Sequence, residues 1–470
     1  MARGAPRGAV RRTGPLGGAP RTVHGLLACG GVIAVAMVAL AFVDVRQRPV
    51  LFVIWAIVAG GGYLVALRLL GRLREGENRG LALCLVLGAL WRMPLLVQPP
   101  QLSSDVYRYV WDGRLQRLGE DPYRLVPDDP AAAALHTPVT RQLNNGWVPT
   151  PYPPGAELFF RVVTAVEESA GAMKGAFAVC DALVVLVVLR LLAASGRSAW
   201  WSLAYAWNPL VAIEGAGNGH VDLLGTLAIV AAAWALARRW RTAAALAFAL
   251  AVGIKFVPIV LAPLLWRRLR VRDVLAGTAL LLALYFPFVH QGRIPVGSLG
   301  AYLAEWRFNG PLFAAFRPLA SPTTLAALAV LTGLLVAIWA RARLSVDSAA
   351  AWAWPVAAAL ALAPSVYPWY LLWLTPFLFT PATRPLAVWT VTILPTYLVL
   401  YLERVHGTWE LPWWLVAAEY GAVPAAAVVG LRFARVPDRT LEFGVASRSG
   451  GRTSAARRRV WSRWRGGRGG

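Results

Sequence analysis

The sequence predicts an all-α polytopic integral membrane protein, and three observations carry that prediction. Of its 470 residues 58% are hydrophobic and 15% charged, and the mean hydropathy is +0.54, values that exclude a water-soluble globule. Apolar runs long enough to cross a hydrocarbon core of about 30 Å recur along most of the chain. An open chain in lipid must satisfy its own backbone groups, so these runs are helices.

The runs fall at 25–43, 50–70, 80–98, 175–193, 199–213, 221–237, 242–266, 273–290, 321–340, 349–364, 369–380, 385–402 and 412–431. The first follows a basic stretch but is too long for a signal-peptide core, and the second comes within a few residues, so the first reads as an uncleaved span. Arg clusters set the orientation. Arg72, Arg74 and Arg79, then Arg190 and Arg197, then Arg238, Arg239 and Arg241, then Arg267, Arg268, Arg270 and Arg272 are assigned to the cytoplasmic side. Residues 1–24 carry five Arg and no acid, and residues 432–470 carry eleven Arg against Asp438 and Glu442. Both are expected to be basic cytoplasmic tails, the second disordered, flanking a transmembrane domain at 25–431. The formal net charge of +24 is therefore a topology signal, with attraction to anionic lipid second to it, rather than a nucleic-acid footprint.

One run lies between two cytoplasmic flanks. Residues 242–266 cannot cross once and return to the same side, so the sequence predicts two short helices broken near Gly253, Lys255 and Pro258. Counting them separately gives roughly fourteen membrane segments, some short or broken. Cys29, Cys84 and Cys180 each sit in an apolar segment without paired spacing and read as small core residues.

Residues 99–174 then lie outside, the longest polar stretch between spans. From residue 99 to 157 seven acids face five Arg, the reverse of the cytoplasmic sign. Asp105, Arg108, Tyr109 and Asp112 are spaced i, i+3, i+4 and i+7, which lines them along one helix face. A carboxylate beside an Arg and a phenol fits a general base with an anion-binding guanidinium. The same spacing fits an interfacial helix anchored by Tyr107, Tyr109 and Trp111. Lys255 is the only lysine in a predicted membrane segment, which marks either a functional site or a side chain snorkelling to the interface. His220 and Asp222 close a glycine-rich turn (Gly215, Gly217, Gly219) that either caps a span or lets a phosphate approach backbone N–H groups.

The motifs occur in a telling order: DVYRYVWDG from Asp105, GEDPY from Gly119, YPPGAELFF at 152–160, WNPLVAIEGAGNGHVD at 207–222, GIKFVPIVLAP at 253–263, AEWRFNGPLF at 304–313 and PSVYPWYLLWLTPF at 364–377. Over roughly residues 80–400 this set resembles the GT-C glycosyltransferases, in particular their bacterial mannosyltransferase-like branch. The resemblance implies a GT-C-like helix bundle in the plasma membrane with a long first extracytoplasmic catalytic loop. It also implies a polyprenyl-phosphate sugar donor, mannose first, and a glycan or glycolipid acceptor. The position matching the family's catalytic base is Asp105. Many members carry two adjacent acids there, whereas here Ser103 and Ser104 precede Asp105. No cofactor is expected, a divalent metal stays open, and Asp112 is the possible second acid or a structural residue.

Displacing a phosphate from an anomeric carbon needs a base for the acceptor hydroxyl and positive charge for the departing phosphate, but no general acid. Arg108, His220, Lys255 and Arg307 are the candidates for the second requirement. Tyr109, Asn218, Asp222, Tyr367, Trp369 and Tyr370 are assigned to substrate binding, with Trp207 and Trp306 as further stacking candidates. The sequence thus reads as an inverting glycosyltransferase with no nucleic-acid partner. The alternative is a multi-span transporter or lipid flippase, which would also use broken helices and buried charge. No internal repeat supports it, and a structural scaffold leaves the Asp105 loop and Lys255 unexplained.

Overall fold

The computed structural model describes residues 18–73, 80–289 and 294–433. Arg74, Arg79 and most of the two expected tails lie outside these residues. Within them the regular structure is helical apart from one isolated bridge between Phe308 and Ser365. Seven helices are long and apolar enough to cross a membrane: Thr22–Phe42, Pro49–Leu70, Ala170–Ala194, Val271–Phe288, Pro322–Arg343, Pro381–His406 and Trp413–Gly430. Shorter apolar helices span Leu81–Val97, Asp222–Ala237, Arg241–Ile254 and Ala349–Ala361. Run 199–213 and the second half of 242–266 are broken into short helical pieces, and most of 369–380 forms one 3-10 helix, Pro368–Phe377.

The chain opens with a hairpin of α1 (Gly18–Phe42) and α2 (Pro49–Leu70), and α1 starts ahead of the apolar run expected from residue 25. α3 (Leu81–Leu90) and α4 (Arg92–Val97) lead to the polar loop. That loop holds α5 (Asp105–Leu118) and ends in α6 (Pro154–Val166), which packs along α5. The contact is close because Gly113 faces the main chain of α6: a Cβ there would lie 2.5 Å from the Phe160 carbonyl oxygen. The loop has a small core of its own, Trp111, Leu115 and Ala132, with Trp111 stacked on His136 at 4.0 Å. Arg114 and Arg117 reach Glu168 and tie α5 to the start of α7 (Ala170–Ala194).

α7 begins earlier than the apolar run at 175 and therefore contains Lys174, which corrects the reading of Lys255 as the only lysine in a membrane segment. Lys174 is buried, and its ammonium donates to the Leu95 and Gln98 carbonyls at the end of α4. Those carbonyls have no helical partner, so the lysine supplies one.

After α8 (Leu203–Ala206) and α9 (Pro209–Ala212), one wide turn at Ile213–Gly217 carries the chain to Asn218. The N–H groups of Asn218, Gly219 and His220 donate to the Ile213, Gly215 and Glu214 carbonyls. They are thus not open to a phosphate, as the glycine pattern had allowed. α10 (Asp222–Ala237) and α11 (Arg241–Ile254) form a hairpin, and α11 stops where Lys255 turns extended (φ −158°, ψ 146°). The chain then returns through Val257–Leu261 and α12 (Ala262–Leu265) to α13 (Val271–Tyr285). Thr242 at the start of α11 donates to Asp273 at the start of α13 at 2.6 Å, so the broken run comes back to the end it left.

α14 (Leu299–Glu305) lies beside the polar loop, where Trp306 stacks on Trp147 at 5.5 Å; α15 (Pro311–Phe316) follows, and α16 (Pro322–Arg343) pairs with α17 (Ala349–Ala361). The segment Pro368–Phe377 follows, then α18 (Arg384–Thr392), α19 (Val399–His406) and α20 (Trp413–Phe433). The α1–α2 turn joins the same end as the polar loop: Arg46 donates to the Gln101 carbonyl at 2.6 Å, and Arg404 donates to the Arg46 carbonyl at 3.1 Å.

Candidate active site

Asp105 is the first residue of α5, where the helix N-terminus favours a carboxylate. Its side chain keeps 18% of its surface exposed, enough to meet a ligand. Asn144 donates to one carboxylate oxygen at 2.9 Å, and the Asp105 N–H donates to Ser103 Oγ at 3.2 Å. Burial pushes the carboxyl above the usual carboxylate range, and the Asn144 hydrogen bond and the Lys255 charge partly offset that push.

Asp105 opens on a cavity of about 980 Å³ that is also lined by Lys255, Tyr302, Arg307, Tyr367, Trp369 and Tyr370. Lys255 donates to both Asp222 oxygens at 2.8 Å and lies over the Tyr370 ring at 4.5 Å. Trp373 Nε1 also donates to Asp222 at 2.7 Å, which fixes the carboxylate behind the lysine. Two stacks of rings build the walls. His220, Trp369, Tyr367 and Phe308 lie nearly parallel at successive spacings of 4.2, 4.5 and 4.6 Å. Tyr302, Trp306 and Trp147 form the other, and the Tyr302 and Tyr370 hydroxyls meet at 2.7 Å. The cavity extends between Val257–Leu261 and α16 along Ile259, Val260, Ala326 and Val330, an apolar wing beside a charged and aromatic floor.

A family model described as alpha-(1->6)-mannopyranosyltransferase, N-terminal domain, matches residues 15–269, just over half of the chain. The chain belongs to this alpha-(1->6)-mannopyranosyltransferase family. It is similar to alpha-(1->6)-mannopyranosyltransferase A of Mycobacterium tuberculosis, 25% identical over 380 residues that cover 70% of this chain and 72% of that protein. A second M. tuberculosis alpha-(1->6)-mannopyranosyltransferase is 35% identical over 103 residues, a match covering 22% of this chain and 17% of that protein. No solved structure matches the chain.

In this member of the mannopyranosyltransferase family the sequence-predicted residues divide into those on the cavity and those behind it. Asp105, Arg108, Lys255, Arg307, Tyr367, Trp369 and Tyr370 line it. Arg108 is nonetheless committed elsewhere: its guanidinium donates to Asp112 at 3.0 Å, to the Val148 carbonyl at 3.0 Å and to the Asn145 carbonyl at 3.4 Å, pinning the loop. Arg307 caps the end of α14 through the Leu303, Ala304 and Trp306 carbonyls. Lys255 is not a snorkelling side chain, because its partner Asp222 is buried beside it.

Tyr109 turns into the core and stacks on Phe160 at 4.6 Å, away from the cavity. Asp112 is fully buried and does not line the cavity either. Burial and the neighbouring Asp112 carboxyl push Glu157 well above its usual range, and Glu157 accepts from Thr150 and Gln116. Trp207 lies deep among the helices, donating to the Cys84 carbonyl at 2.8 Å. Asn218 braces the site from behind, accepting from the Leu102 N–H at 3.2 Å and donating to Glu214 at 3.1 Å.

Sequence reasoning passed over Glu214, Asn144, Tyr302 and Tyr397. Glu214 carried a usable signal, an acid directly at the end of an apolar run and inside the WNPLVAIEGAGNGHVD motif. Asn144 and Tyr302 carried none, since only the fold brings residues so distant in sequence against Asp105 and Tyr370. Among the described residues no three His, Cys, Asp or Glu side chains converge as a metal site would require.

Proposed function

We propose that the protein transfers mannose from a polyprenyl-phosphate donor to a lipid-linked or cell-envelope glycan acceptor on the extracytoplasmic face, forming an alpha-(1->6) linkage. The observation that carries this reading is the meeting of Asp105 and Lys255 in one cavity with an apolar wing. Membership of the mannopyranosyltransferase family and the names of its relatives support mannose as the sugar and alpha-(1->6) as the linkage. Asp105 takes the proton of the acceptor hydroxyl as its oxygen attacks the anomeric carbon. The bond from that carbon to the phosphate oxygen breaks, and its electron pair stays on the phosphate. Lys255 is the cation best placed to meet the developing charge: it is paired with Asp222, as Arg108 is with Asp112, but its charge is the one that acts on the Asp105 carboxyl across the cavity. A single displacement inverts the anomeric centre, and phosphate is a good enough leaving group to need no acid. The prenyl chain takes the apolar wing, and the ring edges of the stacks border the sugars.

The test is transfer from radiolabelled polyprenyl-phosphate mannose by the purified full-length protein, run beside the same carrier bearing glucose or arabinose. Incorporation from the mannose donor into an acid-stable, lipid-extractable or polymeric product is expected. Equal incorporation from all three donors would remove mannose from the proposal, and none from any would remove the transferase reading.

A further inference from the structure

His220 lies between two carboxylates that the reaction above leaves half used. Its ring is fully buried, held flat against Trp369 at 4.2 Å, and neither ring nitrogen has a hydrogen bond of good geometry within the protein. Nδ1 faces Asp105 Oδ2 at 3.9 Å, and Nε2 faces Glu214 Oε2 at 3.3 Å. Glu214 is itself fixed at both oxygens. Tyr397 donates to its Oε1 at 2.6 Å and Asn218 to its Oε2 at 3.1 Å. Tyr397 lines the same cavity as Asp105, so the four side chains form an arc that begins and ends there.

The local backbone is built to hold this arrangement. Glu214 sits in the wide turn Ile213–Gly217, a helix distortion common at functional sites, which lets it and His220 face one another. Gly219 adopts φ +70°, a conformation that a side-chain-bearing residue adopts only with strain, and a Cβ there would lie 2.8 Å from Lys174 Cγ. Buried polar groups are normally hydrogen-bonded, so a buried imidazole suspended between two carboxylates calls for a reason.

We propose that Asp105, His220 and Glu214 form a proton-transfer unit, resting on the assignment of Asp105 as the base, in which His220 and Glu214 clear the acceptor's proton from Asp105. The acceptor O–H breaks and its proton passes to Asp105 Oδ2. Asp105 hands a proton to His220 Nδ1 while His220 Nε2 gives one to Glu214, so the imidazole ends neutral in its other tautomer and Asp105 is again ionised. Once the product has left, the proton returns by the same path, which restores the first tautomer, and it leaves Asp105 to the cavity; the Tyr397 hydroxyl holds the Glu214 carboxyl in place throughout. The gap of 3.9 Å closes to hydrogen-bond range with a shift of about 1 Å, the kind of tightening that follows substrate binding. His220 and Glu214 act through Asp105 and do not touch the sugar.

The experiment compares wild type, Asp105→Asn, Glu214→Gln and Tyr397→Phe in the mannose-transfer assay, with kcat, donor KM and the solvent deuterium isotope effect on kcat. Glu214→Gln keeps a carbonyl oxygen for Tyr397 but takes no proton, so kcat should fall on the order of 10- to 100-fold with donor KM unchanged, and the isotope effect should change. Tyr397→Phe, with no change of charge, should lower kcat by a smaller factor in the same pattern. If both variants keep wild-type kcat and isotope effect while Asp105→Asn is inactive, the relay is wrong and Asp105 stands alone as the base. If Asp105→Asn is fully active, the base assignment fails first. A raised donor KM with kcat and isotope effect unchanged would make the pair structural supports and overturn the relay. Should Glu214→Gln fail to fold, Tyr397→Phe decides.

Discussion

At the scale of single residues, the cavity depends on what each charge is bound to, and that is where sequence and structure part most. Asp105→Asn nearly preserves shape and removes the base, so transfer should drop on the order of 10²-fold or more with membrane insertion intact. Wild-type turnover in that variant would dismiss the assignment. Burial raises the Asp105 carboxyl, and only its ionised form accepts a proton, so activity should be lost as pH falls through a value above the ordinary carboxylate range. A kcat/KM profile flat down to that ordinary range would contradict this. Lys255→Met should weaken donor binding and also destabilise the protein, by about 3–5 kcal/mol, because it strands the buried Asp222. Adding Asp222→Asn should restore thermal stability but not donor affinity. A single Lys255→Met as stable as wild type would show that the pair carries no load. Asp105 and Lys255 were legible because an acid in an acidic outer loop and a lysine at a helix break are local signals. Tyr109 was not, because i+4 spacing sets a helix face without saying whether that face meets the cavity or Phe160 and Phe177.

Among the elements, two close approaches hold the polar loop against the bundle. Gly113 brings α5 onto α6, and Gly155 brings α6 onto α11, where a Cβ would lie 2.7 Å from the Gly253 carbonyl oxygen. Gly113→Ala should push α5 off α6, cost about 1–3 kcal/mol and displace Asp105. A lowered melting temperature in detergent together with reduced transfer is the expected pair of results, and an unchanged melting temperature would show that the contact yields freely. The break in 242–266 could be read from charge arithmetic, since two Arg-rich flanks on one side demand a return. A turn near residues 215–219 could also be read, from its glycines, but not its form: the chain stays helical through Ile213–Gly217, and only the extra residue in that turn reveals the distortion. Lys174 was missed for a similar reason, because an apolar run read by composition stops short of a lysine that the fold buries under α4.

For the molecule as a whole, the proposed topology puts the Asp105 end outside and the Arg-rich end in the cytoplasm. Cys29, Cys84 and Cys180 are all buried, so thiol labelling reports chiefly on cysteines introduced at exposed sites. Glu120→Cys should react with an impermeant maleimide on intact cells, and Ala342→Cys only after permeabilisation. The reverse pattern would invert the topology and discard the extracytoplasmic site. The hairpin of α10 and α11 carries a further consequence. At 16 and 14 residues these helices rise about 24 and 21 Å, less than a hydrocarbon core of about 30 Å. With the other end of the hairpin at the cytoplasmic boundary, as the proposed topology has it, the Lys255–Asp222 pair at their shared end would occupy a dent sunk several ångströms below the level that full-length helices reach. A phosphate tethered to a membrane-embedded chain would meet its counter-charge there without being hauled up into water. Under that topology the protein would lower the aqueous boundary to the proposed lipid-linked donor, and a thicker bilayer would deepen the dent rather than close it.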